Sequence, residues 1–391
     1  LVVSTTMYFR AEQARQKETA ARTQAQQAQA NESRLRRQAE VLAYASDMSL
    51  AQQALTQNNL GRAVLLLDRH RPEPSERDLR GWEWRYLWQQ CQSDVLSTLC
   101  KRPGTIRSLA GSNDGKWVAV GEWGRLSVWD RVTRQEIMQL ASGGAVRVAF
   151  SPQEKLLAFS MVRGSGSAKP LRSVQLWSGT TKQIVGEVPL GGECMGLAFS
   201  DDGQRLVTYT ANPENQVAVW RIREKTKLAF YPVSAFDDAA GTPGTPFAVA
   251  RDGSVAAVAP DNTIHFIDLS TGEELWASPA ADESVKALAL SPNGKVLASC
   301  GGFAESAIRL WDADTGKEIT RLPGHSVWVG ALVFWPDSNR LASASGDQTI
   351  RLWDLTDLAH VPLPRILRGH KFEVWQVALL PDSKTLVSGS K

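Results

Sequence analysis

WPDSNRLASASGDQTIRLWD, residues 335–354, decides the fold. It opens on a Pro-Asp-Ser-Asn turn, runs through an apolar strand, turns again at Gly346-Asp347 and ends in an alternating strand closed by Trp353-Asp354. Pentapeptides like its opening recur as SNDGK from Ser112, SPQEK from Ser151, SDDGQ from Ser200, ARDGS from Ala250, SPNGK from Ser291 and LPDSK from Leu380. Their spacing is 39 to 50 residues. Asp-Gly and Asn-Gly between apolar runs are hairpin signals. An apolar strand precedes each turn, as over 285–290 or 327–334, and another follows, as over 296–299 or 340–344. A second marker keeps the same period: Trp129-Asp130, Trp177-Ser178, Trp220-Arg221, Ile267-Asp268, Trp311-Asp312 and Trp353-Asp354. A polar turn follows, such as LSTGEE (269–274) or ADTGKE (313–318), and then a fourth strand. Four strands per roughly 40–45 residues make one blade of a β-propeller.

Counting gives a mainly β chain with six complete blades plus a partial seventh over 94–391. DVLSTL (94–99) precedes the first turn by a full strand and is expected to be an outer strand of the seventh blade. The chain stops at LVSGSK, in the second strand of that blade, so the propeller is expected to be incomplete at its C-terminus and both ends read as truncations. Closure removes exposed sheet edges, which an incomplete blade leaves behind.

These residues resemble WD-repeat propellers. The fullest match is Gly324-His325 followed by LASASGDQTIRLWD (341–354). The resemblance implies a hydrogen-bonded chain of His325, Ser343, Asp347 and Trp353 inside the blade, which is structural rather than catalytic. The chemistry is coherent, because a buried Asp needs partners and His and Trp N–H groups supply them. Gly369-His370 begins a further copy. Repeats one to five lack Gly-His, repeats two to four lack the full Trp-Asp pair, and insertions stand at GSGSAKP (164–170) and GGFAES (301–306).

Upstream, residues 1–9 (LVVSTTMYF) read either as the end of a transmembrane helix cut off before Leu1 or as a frayed apolar terminus. Residues 10–57 lack Pro and Gly and are rich in Ala, Gln, Glu and Arg, which are helix formers. From 10 to 34 the apolar residues are only Ala, so this stretch predicts a solvated helix or a weak coiled coil. Val41, Tyr44, Met48, Ala51 and Leu55 then form one helical face, and Leu60, Ala63, Val64 and Leu67 a second. The helical arm is therefore 10–68, with a helix hairpin joined at Asn58-Asn59. Residues 69–93 read as a linker and an aromatic anchor helix, GWEWRYLWQQC (81–91). Such aromatics are expected to fasten the arm to the following domain.

The arrangement of helical arm, GWEWRYL (81–87) and propeller resembles the C-terminal region of bacterial membrane-anchored serine/threonine protein kinases. That resemblance implies a bacterial protein, membrane-anchored through a truncated N-terminal span, with its propeller outside the cytoplasm. A cytoplasmic location is the alternative. It also implies that a kinase domain precedes this chain.

The 391 residues carry 44 Lys/Arg and 41 Asp/Glu, a net charge of +3. Residues 1–81 hold 12 basic and 9 acidic groups, and the rest balances at 32 of each. Nucleic-acid binders concentrate a basic excess, so no nucleic-acid partner is expected. This chain shows no phosphate loop, His-Arg-Asp loop or Asp-Phe-Gly triplet, and no Gly-x-Ser-x-Gly elbow. Its four Cys form no CxxC pair and its five His are scattered, so catalytic residues, metal and cofactor are all expected to be none. A Cys91–Cys100 disulfide is left open for an oxidising compartment. DLSTGEELW (268–276) resembles the tryptophan-docking motif of quinoprotein dehydrogenases but occurs in one repeat only, which favours a polar turn and an outer-strand Trp.

The leading expectation is thus a non-catalytic interaction or sensor platform whose partner is a protein or peptide at the propeller rim. Candidate rim residues are Trp328, Glu373 and Trp375, with the loop 281–284. Packing of both tryptophans between blades is the competing reading. The alternative function is a propeller enzyme, quinoprotein-like or a hydrolase, with a site in the central funnel.

Overall fold

The computed structural model describes residues 2–56, 59–72, 78–92, 94–102, 104–163, 171–233, 246–260, 262–279, 285–302 and 306–391. The insertion 164–170, the rim loop 281–284 and part of 301–306 lie outside the described residues. Contacts divide the chain into a helical unit, Leu1–Thr56 with Arg62–Cys91, and a β unit, Gln57–Gly61 with Gln92–Lys391.

In the helical unit, α1 spans Val2–Thr56, α2 Leu60–Asp68 and α3 Trp82–Gln90. Side chains of residues 17–43 of α1 are exposed throughout, as expected of a face that offers only Ala. Burial starts at Tyr44 and continues through Met48, Ala51 and Leu55, and α2 contributes Ala63, Leu66 and Leu67. Val41, placed on the same stripe by its spacing, is exposed. Helix α3 belongs to this unit. Trp84 is buried and its Nε1 donates to the Leu67 carbonyl at 2.9 Å. Tyr44 Oη donates to Glu83 and accepts from the Gly81 amide, both at 3.0 Å. Trp84 and Trp88 stack with centroids 5.2 Å apart. The aromatic segment read as an anchor for the next domain therefore spends Trp84 on packing against its own helices.

The β unit is a propeller. Five sheets hold four strands each, ordered as in the sequence. The first sheet holds three by count, because one strand runs unbroken from Trp117 to Asp130. Fourteen extended residues would span about 46 Å, yet Arg131 N donates to Lys116 O at 2.8 Å. The strand must therefore fold back on itself, at Trp123-Gly124, where Gly124 has φ +77°. It supplies the second and third strands of a complete blade. Six complete blades are present, and a two-stranded sheet follows them.

Seven inner strands stand side by side: Ile106–Gly111, Val148–Phe150, Glu193–Phe199, Phe247–Val249, Ala287–Leu290, Val329–Phe334 and Val374–Leu379. Each touches the next, and the last touches the first, so the ring closes at seven positions. The core is distributed as seven apolar clusters, each between two neighbouring blades. Val118, Val120, Ile106 and Leu109 of blade one meet Leu380 and Val387 of the partial blade in one of these. The recurrent turns link the blades on one side of the ring. Gln153 Nε2 donates to Asp201 O at 2.8 Å, Asn293 N to Ser338 Oγ at 3.1 Å and Trp335 Nε1 to Ser383 O at 3.0 Å. A repeat spacing near 45 residues is what lets equivalent turns meet.

Residues 94–99, expected to form an outer strand, form none. The two-stranded sheet Val374–Leu379 with Leu386–Ser390 has no third strand among the described residues for them to pair with. Asp94 instead binds the end of blade six, its N donating to Arg368 O and its carboxylate accepting from Arg368 N, each at 2.8 Å. Leu96 is left 99% exposed.

Candidate functional site

The interior of blade six holds the four residues singled out by motif. His325 stands at the blade's entry, Ser343 in its second strand, Asp347 in the following hairpin and Trp353 near the end of its third strand. All four are buried. Trp353 Nε1 donates to Ser343 Oγ at 2.9 Å, Ser343 Oγ lies 2.7 Å from His325 Nε2, and His325 Nδ1 lies 2.8 Å from Asp347. Asp347 also accepts from Thr349 N and Oγ1 and from Ser326 N. Burial lowers the pKa of His325 and outweighs the opposing pull of Asp347. The imidazole is then neutral, donating through Nδ1 and accepting the Ser343 hydroxyl proton at Nε2. Burial works against ionisation of Asp347, yet the hydrogen bonds it accepts from His325 and Thr349 hold its pKa below the ordinary value. The four side chains thus satisfy one another's polar atoms inside the blade.

Reduced versions recur. Trp311 Nε1 donates to Ser299 Oγ at 2.8 Å and Trp220 Nε1 to Thr208 Oγ1 at 3.0 Å, with no His in either. In the partial blade His370 Nε2 lies 2.7 Å from Ser388 Oγ.

The rim residues occupy the end of the ring where inner strands begin. Trp328 and Trp375 meet across blades six and seven, centroids 4.9 Å apart at 60°, both half-buried. Backbone is shaped to admit the Trp328 ring: a Cβ at Gly346 would stand 2.6 Å from it and one at Gly330 2.8 Å. Glu373, just before the Trp375 strand, is half-buried. Arg107 of blade one lies 5.9 Å from the Trp375 ring and 5.5 Å from that of Trp123, which is 63% exposed in the blade-one hairpin. Arg107 and Trp123 were not picked out by sequence motif. The signal available was a column: aligned on the turn pentapeptides, Arg107 and Trp375 both stand five residues ahead of the turn.

Among the described residues no cluster of three His, Cys, Asp or Glu could hold a metal ion. No disulfide joins any of the four cysteines, Cys91 and Cys100 included. In DLSTGEELW, Asp268 caps its turn by accepting from Ser270 N and Thr271 N. Trp276 stacks on Phe266 at 4.8 Å and donates to Ala313 O at 2.8 Å, so it packs between blades.

Comparison with known proteins matches the family described as "WD40: WD domain, G-beta repeat" over residues 94–130, 274–312, 316–354 and 362–391. Among curated proteins, the Arabidopsis thaliana "Protein FIZZY-RELATED 3" is 26% identical over 141 residues, 35% of this chain and 28% of that protein. "B-type cell cycle switch protein ccs52B" of Medicago truncatula is 27% identical over 140 residues, 35% of this chain and 28% of that protein. "Cell division cycle 20.6, cofactor of APC complex" of Arabidopsis thaliana is 26% identical over 285 residues, 69% and 63% of the two chains. The matched region spans less than a third of the first of these relatives. The expectation of a bacterial, membrane-anchored protein with its propeller outside the cytoplasm is corrected by these findings. No helix among the described residues is long and apolar enough to cross a membrane, and these relatives are plant proteins, two of them named for the cell cycle.

Proposed function

We propose that this chain, a propeller of WD40 repeats preceded by a helical unit, is a non-catalytic platform that captures a protein or peptide at the rim where its inner strands begin. One observation carries the reading. An exposed tryptophan, Trp123, stands with Arg107, Trp328 and Trp375 on a rim whose supporting backbone is held by the ring of blades. Tryptophan and arginine are the residues that most often dominate binding energy at interfaces. Rim loops can vary without disturbing the blades beneath them. Two relatives are named as a cell-cycle switch and as a cofactor of a complex, roles that suit a binding module.

The test is selection of displayed peptides on the immobilised full chain, followed by binding of a selected peptide to variants. Trp123→Ala should weaken it and Glu373→Lys should alter it, while Phe230→Ala, on an outer strand of blade three, should leave it unchanged. Peptides that ignore both rim changes, or a selection that yields none, would refute the reading. Turnover of a quinone-dependent or glycoside substrate by the purified chain would replace it with the enzyme alternative. The narrower reading, that this is the regulatory part of a serine/threonine protein kinase, is supported only by the helical arm and GWEWRYL (81–87). A kinase domain in the coding sequence ahead of Leu1 would uphold it, and a different domain there would end it.

A further inference from the structure

Arg107 is one of a set. Counting back five residues from each turn gives Arg107, Met195, Lys286, Gly330 and Trp375 in blades one, three, five, six and seven. In four of these the ladder skips that residue, stepping from Ile106 to Ser108, Cys194 to Gly196, Val329 to Ala331 and Val374 to Gln376. Such a β-bulge takes a side chain out of the regular alternation and re-aims it. In blade two the cation comes one place later: Arg147 lies opposite Ser160, and its Nη1 donates to the Arg107 carbonyl at 3.0 Å. Ring closure sets Lys286, Gly330, Trp375, Arg107 and Arg147 in one arc over blades five, six, seven, one and two.

Arg107, Arg147 and Lys286 put three cations on this arc, and Glu193 acts on the second of them. Arg147 and Lys286 are 6% and 7% exposed. Burial lowers the pKa of Arg147, and Arg107 beside it lowers it further, against the pull of Glu193. The nearby buried Glu122 is acted on by Arg102, Arg125 and Glu136 instead. Charges removed from water are weakly screened, so their field reaches a ligand at the rim. Two buried donors in the arc, Arg107 Nε and Trp375 Nε1, meet no acceptor. A buried N–H without an acceptor is costly, and an arriving anion relieves it. Beside them the Trp123 face offers apolar contact for the chain that bears the anion.

We propose that this arc is an anion-selective subsite for an acidic segment of a partner polypeptide, with a carboxylate or phosphate held at Arg107 and the segment laid against Trp123. This rests on the platform reading above and specifies its ligand.

The full chain is titrated, by fluorescence anisotropy at low ionic strength, with labelled hexa-aspartate, a phosphoserine-glycine hexapeptide and hexa-lysine. The expected result is binding of an anionic peptide and none of hexa-lysine, with affinity falling as sodium chloride is added. Arg107→Gln should weaken binding by about tenfold or more, the scale of one lost charge-assisted hydrogen bond. Arg107→Lys should restore most of it, and Arg223→Gln, on an exposed turn of blade three, should leave it unchanged. Preference for hexa-aspartate identifies a carboxylate ligand, and preference for the phosphopeptide a phosphate. Equal binding by a folded Arg107→Gln chain, or equal losses in Arg107→Gln and Arg223→Gln, overturns the proposal. Selected neutral peptides that bind the rim regardless of Arg107 would leave the platform standing and remove only this ligand class.

Discussion

Replacing Ser343 by Ala tests the blade-six chain at its central atom. Ser343 is fully buried and its Oγ serves two partners, Trp353 Nε1 at 2.9 Å and His325 Nε2 at 2.7 Å. Alanine removes one oxygen and leaves a donor and an acceptor orphaned in the interior. Each orphan costs about 1–3 kcal/mol, so the pair should cost about 2–6 kcal/mol. That is a large share of the roughly 5–15 kcal/mol by which domains are stable. Ser299→Ala in blade five is the internal control, because Ser299 serves Trp311 Nε1 alone at 2.8 Å. With one orphan instead of two, it should cost about half as much, about 1–3 kcal/mol. Urea unfolding followed by circular dichroism reads both, with unchanged slopes required for the comparison. If Ser343→Ala is no more damaging than Ser299→Ala, the extra histidine link carries no stability and the reasoning fails.

Four further outcomes are expected. His325 and His370 have pKa values lowered by burial, so the folded chain binds fewer protons there than the unfolded one. Their contribution is present above the unfolded value near 6.5 and is lost as pH falls below it, so the thermal midpoint should drop between pH 7.5 and 5.5. His370→Gln should flatten that slope, and an unchanged slope would contradict the assignment. Cys194 and Cys300 are pushed up to about 12 by burial, so an aromatic disulfide reagent at pH 8 should spare both until denaturant is added; prompt labelling of either would count against this. Gly316→Ala should destabilise by about 2 kcal/mol or more, since φ is +67° and a Cβ would stand 2.7 Å from the Trp276 ring; thermal melting decides. Trp328→Ala should lower both the midpoint, by loss of about 3 kcal/mol of packing, and rim binding. A binding loss with no stability loss would make Trp328 a pure contact residue.

The helical unit shows where reading by periodicity stops. The stripe Tyr44, Met48, Ala51, Leu55 was legible because a helix repeats every 3.6 residues and buries one face. That α3 joins it was not, because the hydrogen bonds of Trp84 to Leu67 and Tyr44 to Glu83 span 17 and 39 residues. Nothing local to 81–91 says which surface its aromatics cover.

The propeller divides in the same way. Turn pentapeptides, apolar strands and the Trp-Asp marker are local features repeated at one period, and they suffice to set strands, hairpins and blade count before any coordinates. Which side chains meet depends on closing seven inner strands into a circle. Closure puts Trp328 against Trp375 and carries Arg107 to Trp375 from the other end of the chain. Local sequence governs short-range backbone geometry, whereas the candidate site is assembled from residues more than 250 positions apart, whose proximity only the packed ring creates.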